Sequence, residues 1–161
     1  MFVSKTYELE DLIYSHEEEI HSNTSDNNYL TIASLSDLPS KFILSFDYKT
    51  NGETRVGLFS SNNFSGNPNY SVFVGSPNGS FIWYYGGRTT STDTSDVYSP
   101  PTDYHSYTIR RDGDNFYYQR DRIGNYSKNY SWFANYSYLI GIMGWGANKD
   151  SYVKNIKLKP L

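Results

Sequence analysis

The stretch YTIRRDGDNFYYQ, residues 107–119, decides how this chain is read. Two runs of alternating apolar and polar residues flank Asp112-Gly113. An Asp-Gly pair between such runs marks a tight antiparallel hairpin, because both central positions of a type I′ turn need positive φ. Centred there, the turn pairs Arg111 with Asp114, Ile109 with Phe116, Thr108 with Tyr117 and Tyr107 with Tyr118. Successive strand residues point to opposite sides. One face therefore holds Tyr107, Ile109, Phe116 and Tyr118, which reads as core, and the other holds Thr108, Arg110, Tyr117 and Gln119. A turn shifted by one residue at its centre keeps both faces.

The same period of two recurs outward from this hairpin. KFILSFDYK (41–49) sets Phe42, Leu44, Phe46 and Tyr48 on one face, and TRVGLFS (54–60) follows the Asn51-Gly52 turn. YSVFVG (70–75) and SFIWYYG (80–86) are joined by Ser76-Pro77-Asn78-Gly79, a tight hairpin connection. A Ser/Thr/Asp-rich stretch (88–103) with Pro100-Pro101 reads as a loop. YLIGIMGWG (138–146) and SYVKNIKLKP (151–160) close the series. Strands at this spacing without intervening helices predict an all-β sandwich or barrel. Residues 8–20 place Leu9, Leu12, Ile13 and Ile20 at roughly helical spacing, so a short helix or an edge strand with a loop fits there.

Composition agrees. The 161 residues suit one domain, 1–161, with a sizeable core. Seventeen Tyr, nine Phe and three Trp favour strands, while abundant Asn, Ser and Gly favour turns. Cysteine is absent, which excludes disulfides and thiolate metal sites. No stretch approaches a transmembrane length, so membrane insertion is not expected. MFVSKTYELE shows no secretory signal, so work outside a cell implies delivery on a particle or a domain cut from something longer. Residues 1–40 set eight acidic groups against Lys5 alone, and residues 1–28 form an acidic N-terminal segment. The mild basic excess of the remainder is too dispersed for a nucleic-acid surface. Seven N-x-S/T sequons, four reading N-Y-S, follow from the Asn- and Ser-rich composition.

One motif invites a metal. YSHEEEIHS (14–22) resembles H-E-x-x-H, but His16 and His21 are five residues apart. On a helix that spacing is about 140°, and on a strand an odd spacing puts the two rings on opposite faces. Zinc is not expected there.

The candidate binding surface is the second face of the hairpin. Arg110, Tyr117 and Gln119 combine planar aromatic surface with hydrogen-bonding groups, a pairing that suits a sugar's apolar ring face and its hydroxyls. SFIWYYGGR carries aromatics on both sides, and Trp83 and Tyr85 are taken as the exposed pair, with Arg88 at the rim beyond Gly86-Gly87. Nucleophile elbows, P-loops and dinucleotide fingerprints are absent.

The segments FILSFDYKTNGETRVGLF (42–59), HSYTIRRDGDNFYYQRD (105–121) and YLIGIMGWGANKDSYVKNIKLKPL (138–161) resemble the concanavalin A-like lectin/glucanase jelly rolls, laminin-G-type domains included. The resemblance implies a two-sheet antiparallel β-sandwich of jelly-roll type with a glycan-binding face, and a cell-surface glycan or polysaccharide as partner. The closing K-N-I-K-L-K-P-L also resembles domains of methanogen adhesin-like and archaeal-virus tail proteins, which implies an adhesin or receptor-binding role at a cell surface or on a virion. The carboxylate strand of the glucanases, E-x-D-x-E or E-x-D-x-x-E, is missing, so catalysis is not expected. A structural Ca²⁺, common in that fold, would draw on Asp47 and Asp112. A structural β-domain that assembles as a homo-oligomer is the alternative, since exposed aromatic patches fit it as well.

Overall fold

The computed structural model describes residues 12–24, 29–52, 54–60, 70–75, 82–86, 92–97, 101–144 and 149–161, and for 24, 29, 82–86, 92–97 and 123–125 the backbone alone. Two antiparallel sheets face each other. The seven-stranded sheet runs β1 (Tyr14–His16), β13 (Lys149–Pro160), β4 (Lys41–Thr50), β9 (His105–Asp112), β10 (Asn115–Arg120) and β11 (Ile123–Asn129), with β2 (Ile20–Thr24) also pairing β13. The six-stranded sheet runs β3 (Tyr29–Ser34), β12 (Tyr138–Gly144), β5 (Thr54–Ser60), β6 (Ser71–Gly75), β7 (Ile82–Gly86) and β8 (Thr92–Val97). The chain is a β-sandwich of jelly-roll type. The one helical element among the described residues is a 3-10 turn, Phe133–Asn135.

The alternation read from the sequence sets the core. Phe42, Leu44, Phe46 and Tyr48 of β4 meet Tyr107, Ile109, Phe116 and Tyr118, and all eight are buried in one cluster between the sheets. Val56, Leu58, Val72, Val74, Ile140 and Ile142 complete it from the six-stranded sheet. Each such side chain contributes roughly 1.5–3 kcal/mol through the apolar area it removes from water.

The hairpin keeps its two faces but not the pairing drawn from the sequence. Asn115 pairs with Asp112, Tyr117 with Arg110 and Gln119 with Thr108, so the turn residues are Gly113-Asp114. Gly113 has φ +63° and Asp114 is not in the left-handed region, the type II′ pattern with glycine at the first central position. The type I′ pattern occurs at the next turn, where Asp121 (φ 49°) and Arg122 (φ 63°) both adopt it. Asn51-Gly52 turns the chain from one sheet into the other, since β4 and β5 belong to different sheets.

Three further expectations change. Residues 14–16 and 20–24 form edge strands on β13, so the helical spacing within 12–20 does not give a helix. Its apolar residues are too few to build a helical stripe, and β13 offers a hydrogen-bonding edge instead. Residues 8–11 lie outside the described residues. The presumed loop 88–103 contains β8, an edge strand of Thr, Ser and Asp whose polar sequence masked it. The Ser76–Gly79 connection lies outside the described residues, although β6 and β7 do pair antiparallel.

Candidate functional site

Each sheet has one face turned away from the core, and the two differ. On the six-stranded sheet that face carries Arg55, Phe59, Phe73, Leu139 and Met143, every one of them buried. Phe59, Phe73, Leu139 and Met143 form a cluster separate from the main core. The Arg55 guanidinium lies 4.9 Å from the centre of the Phe73 ring and hydrogen-bonds the Met143 sulfur at 3.9 Å. Gly57 lets β5 and β6 approach closely, because a Cβ there would sit 2.2 Å from the Val72 carbonyl oxygen.

On the seven-stranded sheet the outward side chains are mostly polar or charged, and many are partly exposed. At its centre a hollow of about 240 Å³ is lined by Glu17, Ser45, Asp47, Ser106, Thr108, Asn155 and Lys157. Small side chains on the adjacent strands β4 and β9 open it. A bulge in β13 between Lys154 and Lys157 inserts an extra residue and shapes its wall. Asn155 occupies the bulge with φ +52°, a conformation that asparagine tolerates better than most residues. Its backbone N–H donates to the Glu17 carbonyl at 3.2 Å, and its side-chain amide donates to Asp47 at 2.7 Å. Ser106 Oγ donates to the other Asp47 oxygen at 2.7 Å, so this carboxylate is held in place by neutral donors.

Beside the hollow stand three of the residues expected from the sequence, Arg110, Tyr117 and Gln119. Arg110 and Tyr117 are cross-strand partners, and the guanidinium carbon lies 4.3 Å from the ring centre, so Arg110 covers one face of the ring. The sequence reading left that ring free for stacking, and the direct cross-strand pairing explains the difference. Gln119 sits opposite Thr108, which lines the hollow. Trp83 and Tyr85 stand on the other sheet of the sandwich. Strand β7 belongs to the other sheet, and its register sets Tyr85 opposite the buried Val74. The side chains of Trp83 and Tyr85, and all of Arg88, lie outside the described residues.

Toward one end of the same sheet a transverse row carries His21, Tyr152 and Lys49 on three adjacent strands. His21 stacks on Tyr152 at 4.6 Å, and its Nε2–H donates to Asp150 at 2.7 Å. Lys49 lies 4.7 Å from the centre of the Tyr104 ring and 4.9 Å from that of Tyr152. Tyr104 donates to Glu19, and burial first, then this carboxylate, pushes its phenol pKa up. Hydrogen bonds from Asn23 and His21 hold the Asp150 carboxyl below its usual range. At Asp121 burial acts upward, but bonds from His105 (2.6 Å) and the Ser106 N–H (2.9 Å) outweigh it and lower the pKa.

His16 pairs with the buried Ile156 and His21 with the outward Tyr152, so the two histidines sit on opposite sides of the sheet. Asp47 is opposite Ser106, whereas Asp112 is opposite Lys41 at the far end of β9 and lies 3.5 Å from its ammonium. At about 3.3 Å per residue, six residues separate them by roughly 20 Å, so they cannot share a Ca²⁺.

Sequence reasoning missed a second hollow. A cavity of about 430 Å³ at the end of the sandwich lies between residues 36–40, Arg111 and residues 133–138. Arg111 donates from Nε to the Gly113 carbonyl at 2.7 Å and from Nη1 to the Pro39 carbonyl at 3.1 Å. Burial lowers its pKa, opposed by Asp114. Arg111 ends the core-facing series Tyr107, Ile109, Arg111, and a cation at an inward position was the available signal.

No family model matches this chain, and no curated protein is significantly similar to it. Solved structures share its fold. It resembles the carbohydrate recognition domain of Emp47p (TM-score 0.60, 14% identity, 93% of each chain). It also resembles the carbohydrate-binding module CBM66 from Bacillus subtilis (TM-score 0.63, 10% identity, 92% of this chain and 93% of that one). A laminarinase from Flavobacterium sp. UMI-01 follows at TM-score 0.56 and 16% identity, over 81% of this chain and 71% of that one. At these identities the likeness is one of fold.

Proposed function

We propose that this domain is a non-catalytic carbohydrate-binding module that receives a glycan on the outward face of its seven-stranded sheet. The observation that carries the reading is the hollow between Asp47, Ser106, Thr108, Asn155 and Lys157, bordered by the Arg110–Tyr117 stack. Hydroxyl, amide, carboxylate and ammonium groups converge there beside aromatic surface, as sugar hydroxyls and ring faces require. Arg110, Gln119 and the free edge of Tyr117 extend the contact along the strands. Structures of the same fold that are named for carbohydrate recognition support the reading. The hollow is smaller than the roughly 300–1,000 Å³ of sites that engulf a ligand, so single contacts are weak and useful affinity comes from many copies. Such multivalency fits an adhesin or a receptor-binding part of a virion, displayed outside the cell.

Two observations favour binding over hydrolysis. Asp47 has both oxygens engaged by neutral donors. Among the described residues the carboxyls whose acidity is shifted, Asp121 and Asp150, move downward, the wrong direction for a general acid. The partly exposed Tyr70, which stacks on Tyr136 at 4.3 Å and lies 5.2 Å from the tilted ring of Trp132, favours a second reading, a structural domain that meets another copy. Affinity electrophoresis against a polysaccharide panel tests the first reading, with size-exclusion chromatography beside it. Retardation by at least one polysaccharide, weakened in Tyr117→Ala and Lys157→Ala without released sugar, supports it. An obligate oligomer that binds no glycan supports the second.

A further inference from the structure

We infer that the cavity at the end of the sandwich is a second, separate binding site, and that it takes a neutral sugar residue of a glycan. The carbohydrate class rests on the function proposed above, while the site rests on its own geometry. Its floor is buried: Arg111, Phe133 and Tyr138 are 6%, 1% and 2% exposed. Its rim is exposed and polar, with Asp37, Asn135 and Ser137 all lining the opening. A polar rim over an aromatic and cationic floor is the arrangement of a small-molecule site, and about 430 Å³ lies within the usual range for one.

The floor is fixed before any ligand arrives. Arg111 is tied to the carbonyls of Pro39 and Gly113, and its guanidinium lies 4.7 Å from the centre of the Phe133 ring. Tyr138 donates to the Phe133 carbonyl at 2.8 Å and stacks on the Phe133 ring at 4.0 Å. The rim groups are uncommitted: among the described residues the Asp37 carboxylate and the Asn135 amide have no side-chain partner. Asp37 and Arg111 are the charged groups of the lining, and its other polar groups are hydroxyls and an amide. That is a lining for alternating hydroxyl donors and acceptors on a neutral ring.

Titration of the ¹⁵N-labelled domain with methyl pyranosides of glucose, galactose, mannose and N-acetylglucosamine tests this, with methyl glucuronide as the charged control. At least one neutral pyranoside should give saturable shifts at the amides of Asp37, Asn135 and Ser137. Asp37→Ala and Asn135→Ala should each weaken that response about tenfold, and Lys157→Ala should leave it unchanged. If polysaccharide still binds but those amides stay silent, or respond undiminished in both variants, the second site is refuted and the carbohydrate reading stands. Tighter binding of the glucuronide overturns the neutral class. Failure of every glycan overturns both readings.

Discussion

The two outward faces of this sandwich are built from the same strand alternation and end in opposite states. The six-stranded sheet closes its outward face along β12, β5 and β6, over Phe59, Phe73, Leu139 and Met143, with Arg55 buried among them. The seven-stranded sheet leaves its outward face open, with Asp47, Asn155 and Lys157 around a hollow. An antiparallel sheet commonly packs one face on the core and solvates the other. The open face follows that rule and the closed one departs from it. The difference shows where stability and recognition reside: buried aromatic area on one side, hydrogen-bonding groups fixed by a bulge on the other.

The largest expected effect is on the closed face. Phe73→Ala should destabilise the domain by about 3–5 kcal/mol, because it deletes a fully buried ring and leaves a cavity. Thermal denaturation should show a fall in Tm of roughly 10 °C. A change of only a degree or two would mean that this face behaves like the open one.

Gly57→Ala comes next, at about 1–3 kcal/mol, since the new methyl would press on backbone atoms of β6 that have little room to yield. Urea denaturation measures it, and a neutral result would refute the close approach of β5 and β6.

Acid should act on the open side. The Asp121 pKa is lowered in the folded state, so its contribution is present above the unfolded value near 3.9 and is lost as pH falls through the folded one. Asp121→Asn should therefore shrink the loss of Tm between pH 5 and pH 3. Its side chain is 42% exposed, which limits the effect to about 1 kcal/mol or less. An unchanged acid profile would show that the His105 contact does not act in solution.

The smallest effect on folding is expected at Tyr117→Ala and Lys157→Ala, within about 1 kcal/mol, although both should weaken polysaccharide retention. If Tyr117→Ala unfolds the domain instead, the Arg110–Tyr117 stack is structural and the comparison between the faces collapses.

The sequence by itself determined the all-β class, which its family resemblance narrowed to a sandwich, the core-facing set on β4, β9 and β10, and the outward set Arg110, Tyr117 and Gln119. Alternation is a local property, and a two-residue turn carries it unchanged from one strand to the next. Even the displaced turn at Gly113-Asp114 preserved both faces, since recentring by one residue moves each pairing by two. Sequence could not assign β7 to the other sheet, because sheet membership depends on contacts between distant segments. Thr50 and Ser151 hydrogen-bond across 101 residues, and no local pattern encodes such a pairing. The bulge at Asn155, the hollow it shapes and the end cavity over Arg111 likewise arise only when separate strands and loops meet. Tertiary packing also decided which outward face closed, because burial depends on what covers a side chain as well as on which side it points.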